Sequence, residues 1–298
     1  MASIFFRPDY LSIRLQFKSF NTYLKARQYI ADLKEKQTNA EETIIANEYL
    51  QSGSRYFLVI TYEEFVTFYL HLKPINRCFY EIIFPDALCY LYFDIEYDKS
   101  INTNINSIIA FNNFMHQLIK ELFNRFSINC SLFGVRFIKN VSSNGEFVIM
   151  DASNFNKYSR HIVLYLYDMV IFRHQGEVFR FVSGFNNKIT DMYTSNVNTV
   201  SNIIIRHQQG NIIIKKPFID MTVYKKNQQF RIVGSSKFKE QGRRPLKILT
   251  SPTTCITVIS TLDYSLFVKM LVSFRAVEDT YFENFIFNIN KPDNIIAL

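Results

Sequence analysis

Within Leu91-Tyr92-Phe93-Asp94-Ile95-Glu96-Tyr97, two carboxylates stand two residues apart on a stretch that otherwise has the apolar character of a buried strand. Side chains alternate between faces along a strand, so Asp94 and Glu96 are expected to project side by side. Two acids on one face of an apolar strand repel each other and lose hydration. A divalent cation relieves both costs, because clustered hard oxygens are its natural ligands. Metal-assisted chemistry is what this segment suits.

Two further segments carry reactive or charged side chains. Lys157-Tyr158-Ser159-Arg160-His161 runs directly into the apolar Ile162-Val163-Leu164-Tyr165. If the strand begins early enough to include them, Lys157, Ser159 and His161 share a face, and a cation, a hydroxyl and an imidazole in a row make a ladder for phosphate. A histidine at a strand start also has a plain structural use, as a local hydrogen-bonding group. Farther on, Asp220 lies inside the apolar run Phe218-Ile219-Asp220-Met221-Thr222-Val223, followed by the basic Lys225-Lys226 and then by Arg231 and Lys237. An acid on one strand with Arg and Lys on the next would bring metal and triphosphate ligands together, whereas Lys225 and Lys226 read best as a solvated turn.

The elements that must hold these residues follow from hydrophobic spacing. Helices are expected over 20–36, 63–72, 106–126 and 261–274, with Pro74 closing the second. Strands are expected over 55–60, 81–84, 88–97, 134–139, 147–150, 160–167, 202–206, 211–215, 218–223 and 230–233. Residues 34–54 read as a loop with a short helix, and 172–201 as irregular. Strands interspersed with a few helices point to an α/β or α+β fold of mixed sheets with packed helices. Pro85-Asp86 marks the expected boundary between a smaller N-terminal α/β module, 1–85, and a larger module, 86–298.

Composition narrows the function. The 298 residues carry a net charge of +8, which suits a polyanionic partner, although a basic protein with no such partner has the same balance. Eight glycines form neither GxGxxG nor GxxxxGK[ST], so the usual dinucleotide and P-loop cradles are missing and side chains must hold any phosphate. Cys78, Cys89, Cys130 and Cys255 are widely spaced, which predicts reduced intracellular thiols in preference to disulfides or a zinc site. No apolar run approaches the ~20 residues of a membrane helix, and no secretory signal is expected.

The order Asp-x-Glu, Ser-x-His, Asp resembles the three-motif signature of archaeo-eukaryotic primases. The text around it is closer still to the eukaryotic primase-polymerase (PrimPol) family. Cys89-Tyr90-Leu91-Tyr92-Phe93-Asp94-Ile95-Glu96-Tyr97 looks like its first motif and Lys157-Tyr158-Ser159-Arg160-His161 like its second. Asp220-x-x-Val223-Tyr224-x-Lys226-Asn227-x-x-Phe230-Arg231 with Ser235-Ser236-Lys237 looks like its third, and Arg55-Tyr56-x-Leu58-Val59-x-Thr61-Tyr62-x-Glu64-Phe65 resembles its N-terminal module. The likeness extends from about residue 20 to 270. It implies an archaeo-eukaryotic primase core with an RRM-like catalytic module. It also implies a metal-dependent enzyme that adds nucleotides from (d)NTPs to a primer 3′-OH on a single-stranded DNA template, with roles in replication and lesion bypass or repriming. Asp94, Glu96 and Asp220 would hold Mg2+ or Mn2+. Lys157, Ser159, His161, Arg231 and Lys237 would bind the triphosphate, and Arg55 would approach the nascent base pair. A monomer in the nucleus or mitochondrion, working with single-strand-binding proteins, completes the implied picture.

Two departures from the family pattern stand out. Gln228 replaces an additional triphosphate-contacting Arg of the animal members, a loss expected to weaken nucleotide affinity unless another basic residue such as Arg243 or Arg244 substitutes. No Cys/His cluster follows the core within this chain, so no zinc-binding module is expected here, and primer extension is expected ahead of de novo priming. The alternatives are a catalytically silent single-stranded-DNA-binding module and a metal-dependent nuclease. The first does not account for three retained acids, nor the second for the Lys-x-Ser-x-His ladder.

Overall fold

Apolar segments with strand or helix periodicity fold where expected in most cases, and the exceptions arise where distant contacts outweigh local preference. The computed structural model describes residues 18–35, 43–48, 54–85, 87–126, 130–132, 145–166, 172–237, 244–249, 255–256, 267 and 270–273. In chain order the elements are β1 (Lys18–Phe20), α1 (Tyr23–Glu35), β2 (Thr43–Glu48), β3 (Arg55–Ile60), α2 (Tyr62–His71) and β4 (Phe79–Ile82). There follow β5 (Leu91–Asp98), α3 (Ser107–Phe126), β6 (Cys130–Leu132), β7 (Gly145–Asp151), β8 (Lys157–Leu166) and α4 (Gln175–Thr194). The last are β9 (Ile204–Gln209), β10 (Ile212–Pro217), β11 (Gln229–Arg231), β12 (Lys247–Leu249) and β13 (Cys255–Ile256). The expected strand at 134–139, Asp86 of the expected turn, and most of the helix expected at 261–274 lie outside the described residues.

The described residues fall into two units. One lies within Met1–Ile82, Gln229–Leu246 and Thr257–Val268, the other within Ile83–Gln228, Lys247–Ile256 and Lys269–Leu298. The first is built on an antiparallel sheet of order β1-β3-β2-β4-β11. Its α2 begins with a capping box: the Glu64 amide donates to Thr61 Oγ1 at 3.2 Å and the Thr61 amide donates to Glu64 Oε2 at 3.4 Å. These bonds satisfy amides that a helix N-terminus otherwise leaves open. At the other end, buried Arg77 donates to the Leu72 and Leu70 carbonyls at 3.0 and 3.1 Å. Residues 43–48, expected in a loop with a short helix, form β2 instead. Their short run Thr43-Ile44-Ile45-Ala46 has no period of its own, and strands on both sides pair with it.

The second unit is organised by the sheet β13-β12-β7-β8-β5, antiparallel throughout except that β6 joins β7 in parallel. Helices α3 and α4 pack on it through Phe93, Phe114 and Phe185, whose ring centroids lie 5.4 to 6.3 Å apart. Asn106 starts α3 by accepting from the Ile108 and Ile109 amides at 3.0 and 3.2 Å. Helix α4 replaces the irregular region expected over 172–201. Gly176, Gly184, Asn186 and Asn187 weaken the local helix signal. Burial of Val178, Phe181, Val182, Phe185 and Ile189 on one side decides the outcome. The molecule is thus α+β, with antiparallel sheets and packed helices, and no described helix is long and apolar enough to cross a membrane.

One ion-pair cluster ties α3 to α4. Glu121, on α3 and almost fully buried, pairs with Arg125 on its own helix and with Lys188 on α4. Burial by itself raises the carboxyl pKa, but the Lys188 hydrogen bond and the Arg125 charge outweigh it and hold the group below the usual range. A depressed folded pKa contributes stability above the unfolded value of about 4.3, lost as pH falls through the folded value. Glu121→Gln is therefore expected to cost about 1–2 kcal/mol at neutral pH, the partners being partly exposed. Urea unfolding at pH 7 and at progressively lower pH checks this, with the difference between wild type and variant shrinking as pH falls through the folded value.

Candidate functional site

Strand β5 lies at one edge of the second unit's sheet, paired on one side with β8. The register sets Asp94 opposite His161, Glu96 opposite Ser159, and Asp98 opposite Lys157. Strand alternation therefore gathers the acids and the Lys-x-Ser-x-His ladder on a single face. Phe93, Ile95 and Tyr97 take the opposite face, where Phe93 meets the helices and Tyr97 stacks on Tyr158 at 4.9 Å. The strand includes Ser159, so all three ladder residues belong to it.

The open edge of β5 recruits the third acid. The Glu96 amide donates to the Phe218 carbonyl and the Asp220 amide donates to the Asp94 carbonyl, both at 2.8 Å, around a bridge between Ile95 and Ile219. This local pairing satisfies edge groups that are otherwise bare. The strand expected over 218–223 does not form around Asp220. Asp220 begins a 3-10 turn, Met221–Tyr224, because its carboxylate caps the turn: Oδ1 accepts from the Thr222 amide at 2.9 Å and from Thr222 Oγ1 at 2.8 Å. One oxygen from each of Asp94, Glu96 and Asp220 then lies within 4.8 Å of the others. All three side chains are partly exposed.

Three converging carboxylates repel one another, and the nearby Lys157 offsets this only in part. Lys157 Nζ pairs with Glu96 Oε2, and His161 Nε2 lies 3.7 Å from Asp94 Oδ2. Hard oxygen donors with excess negative charge fit Mg2+ or Mn2+. The arrangement can hold such an ion.

A brace behind the acids was not legible as a site feature. Tyr224 Oη donates to the Tyr92 carbonyl at 2.6 Å, and Tyr92 Oη donates to the Val223 carbonyl at 3.2 Å. Gln175 Nε2 donates to Tyr92 Oη at 3.1 Å and to the Lys225 carbonyl at 3.0 Å. Burial pushes the Tyr224 phenol pKa far up, and the charges of Tyr92, Asp94 and Asp220 add to the effect, so Tyr224 stays a neutral donor. Val223 and Tyr224 stood out only as motif letters, and Gln175 gave no signal. Thr222 positions Asp220. Thr222→Val is expected to raise the Mn2+ dissociation constant about tenfold, the usual effect of losing a bond that orients a ligand. Mn2+ titration followed by electron paramagnetic resonance measures this, with an unchanged melting temperature confirming the fold.

The remaining candidate residues belong to the first unit. Its sheet register sets Arg231 opposite Tyr80 and Glu48 opposite Arg55. The Arg55 guanidinium stands 4.8 Å above the Tyr80 ring, while Tyr80 Oη donates to Glu48 Oε2 at 3.0 Å. Burial raises the Tyr80 phenol pKa, the Glu48 carboxylate adds to this, and Arg231 and Arg55 oppose it. Arg55 and Arg231 are thus brought to one aromatic residue. Arg55 is exposed, whereas Arg231 is 5% exposed, and its buried Nε and Nη1 have no hydrogen-bond partner among the described residues. Lys237 and Arg244 are exposed, and Arg243 lies outside the described residues. Gln228, in the second unit, uses its carbonyl to accept from the Ile83 amide at 3.0 Å.

No family model matches the chain. It is similar to a human protein named DNA-directed primase/polymerase protein, with 25% identity over 286 residues, 76% of this chain and 48% of the relative. The protein of the same name from Danio rerio is 25% identical over 210 residues, 62% of this chain and 37% of its own length. That from Bos taurus is 30% identical over 130 residues, 44% and 21%. The chain spans less than half the length of these curated relatives. The similarities support a primase-polymerase-like family.

Proposed function

We propose that this chain is the catalytic core of a DNA-directed primase-polymerase, adding nucleotides from (d)NTPs to a primer 3′-hydroxyl on a DNA template. The observation that carries the reading is the convergence of Asp94, Glu96 and Asp220 beside the Lys157, Ser159 and His161 ladder. The names of the curated relatives point the same way. On this reading the second unit is the archaeo-eukaryotic primase catalytic module and the first its N-terminal module.

Asp94, Glu96 and Asp220 would hold Mg2+ or Mn2+, which when bound supplies charge neutralisation at the phosphates and a lowered pKa for the attacking hydroxyl. Lys157 balances Glu96 and supplies a cation for the triphosphate. Ser159 and His161 donate to phosphate oxygens from the same face, so side chains replace the missing glycine loop. Arg231 and Lys237 take triphosphate oxygens, and Arg55 attends the nascent pair. Template contacts fall on the phosphate backbone, because a polymerase must accept any sequence.

The test incubates the chain with a primed template, dNTPs and Mn2+ or Mg2+, beside an Asp94→Ala variant. Extension by the wild type that disappears in the variant supports the proposal. Binding without extension by either protein would indicate a silent single-strand-binding module, and primer shortening a nuclease. An unprimed template assays initiation separately.

A further inference from the structure

Between Val200 and the third acid the chain makes an excursion that the proposed chemistry does not use. Strands β9 and β10 form a hairpin that pairs with no other strand among the described residues. Gln209 faces Ile212, so Gly210 and Asn211 alone make the turn, and Gly210 has the positive φ of 60° that such a tight turn needs at its first position. Six residues per strand carry the ribbon about 20 Å from its root.

The root is anchored. Ile204, Ile205 and Pro217 are buried. Buried Asn102 accepts from the Arg206 amide at 2.7 Å and donates to the Arg206 carbonyl at 3.0 Å, while also donating to the Asp98 carbonyl at the end of β5 at 2.8 Å. Lys215 Nζ donates to Tyr193 Oη on α4 at 3.1 Å. Only Phe218 and Ile219 separate the ribbon from Asp220, and both belong to the segment bonded along the edge of β5. The arm and the third acid are therefore placed by the same piece of backbone.

The outer part has an unusual surface. Ile212 and Ile213 are 66% and 58% exposed, on opposite faces of the ribbon, and Ile214 is 36% exposed. Residues 204–217 contain no Asp or Glu, but they include Arg206, Lys215, Lys216, His207, Gln208, Gln209 and Asn211. A lone two-stranded ribbon is marginal in water, and aliphatic side chains on both of its faces have nothing of their own to cover them. An acid-free, cationic rim calls for a polyanion. A two-stranded ribbon also has the width that a DNA groove admits, with apolar side chains lying against bases and cations on the flanking phosphates.

We propose that the β9–β10 hairpin is an arm that grips duplex DNA beside the metal centre, its outer part entering a groove edge-on so that Ile212 and Ile214 meet one wall and Ile213 the other, with Arg206 and Lys216 on the phosphates of the two sides. This rests on the polymerase reading above, since the duplex is the primer–template.

The test uses the full chain, without nucleotide or metal, and follows fluorescence anisotropy of a labelled primer–template duplex and of a single strand of equal length. Two variants are compared with wild type, Ile212→Ser/Ile213→Ser/Ile214→Ser and Arg206→Ala/Lys216→Ala, each checked for an unchanged melting temperature. Both are expected to weaken duplex binding about tenfold or more while changing single-strand binding less than about twofold. Loss of two phosphate contacts should also lower the slope of log affinity against log salt by about 2. With a DNA trap present, the variants should insert the first nucleotide at the wild-type rate but make shorter products per encounter. Unchanged duplex affinity, or equal losses on duplex and single strand, would overturn the arm. So would a wild type that self-associates in sedimentation while the isoleucine variant does not, with equal DNA binding by both, since the ribbon would then be a protein interface. Arm-dependent duplex binding without extension would sink the polymerase reading and leave the arm standing, whereas normal processive extension by both variants would do the reverse.

Discussion

Asp94→Asn is expected to fold as the wild type does and to lose primer extension by about a thousandfold or more. The substitution keeps the shape of the side chain and removes its charge. Asp94 sits on the partly exposed acid-bearing face of β5, opposite the phenylalanines that pack under α3 and α4, so the apolar packing that holds the fold does not depend on that charge. The chemistry depends on it far more. A bound cation contributes several kcal/mol of charge stabilisation in phosphoryl transfer, and each 1.36 kcal/mol is a factor of ten in rate. Losing about 4 kcal/mol gives the stated factor. Single-turnover extension measures it, and Mn2+ titration should show weakened ion binding in parallel. A variant that extends primers within about tenfold of wild type would remove Asp94 from the metal centre.

Arg231→Met should separate stability from activity in opposite directions. Arg231 is buried, and its Nε and Nη1 have no hydrogen-bond partner among the described residues. Replacing a buried ionic group by an apolar side chain of similar volume is often neutral or gains about 1–4 kcal/mol. In a protein of this size a gain in that range corresponds to a rise of about 2–6 °C in melting temperature. A residue retained against that gain is best explained by a ligand that pairs with it, and a triphosphate oxygen has the right charge and geometry. The Michaelis constant for dNTP is therefore expected to rise about tenfold to a hundredfold, from the loss of a charge-assisted bond worth about 1.5–3 kcal/mol. Steady-state extension at varied dNTP, with a thermal melt on the same preparations, reads both effects. A variant with unchanged Michaelis constant and lower melting temperature would make Arg231 a purely structural residue.

Local pattern carried the chemistry of the site. The two-residue spacing of Asp94 and Glu96, and the same spacing along Lys157, Ser159 and His161, determined which side chains share a face, because strand alternation has a period of two and needs no distant partner. Most of the apolar face of α3 was legible for the same reason: Phe111, Phe114, Met115, Leu118 and Leu122 recur at helical spacing and are buried, whereas Ile108 and Ile109, expected on that face, are exposed. Where glycine and asparagine blurred the period, as in α4, or where a run was too short to have one, as in β2, local signals pointed elsewhere and packing decided.

Tertiary structure decided what faces what. Nothing in the local text of Asp220 says that its backbone bonds to the free edge of β5, or that the turn capped by its own carboxylate holds it beside Asp94 and Glu96. Nor does the third motif show that Arg231 leaves Asp220 in one unit and joins Tyr80 and Arg55 on the sheet of the other. The sequence by itself determined which chemical groups are present and which neighbours share a strand face. Strand order and register, set by backbone bonds between residues far apart in the chain, decided which of those groups meet.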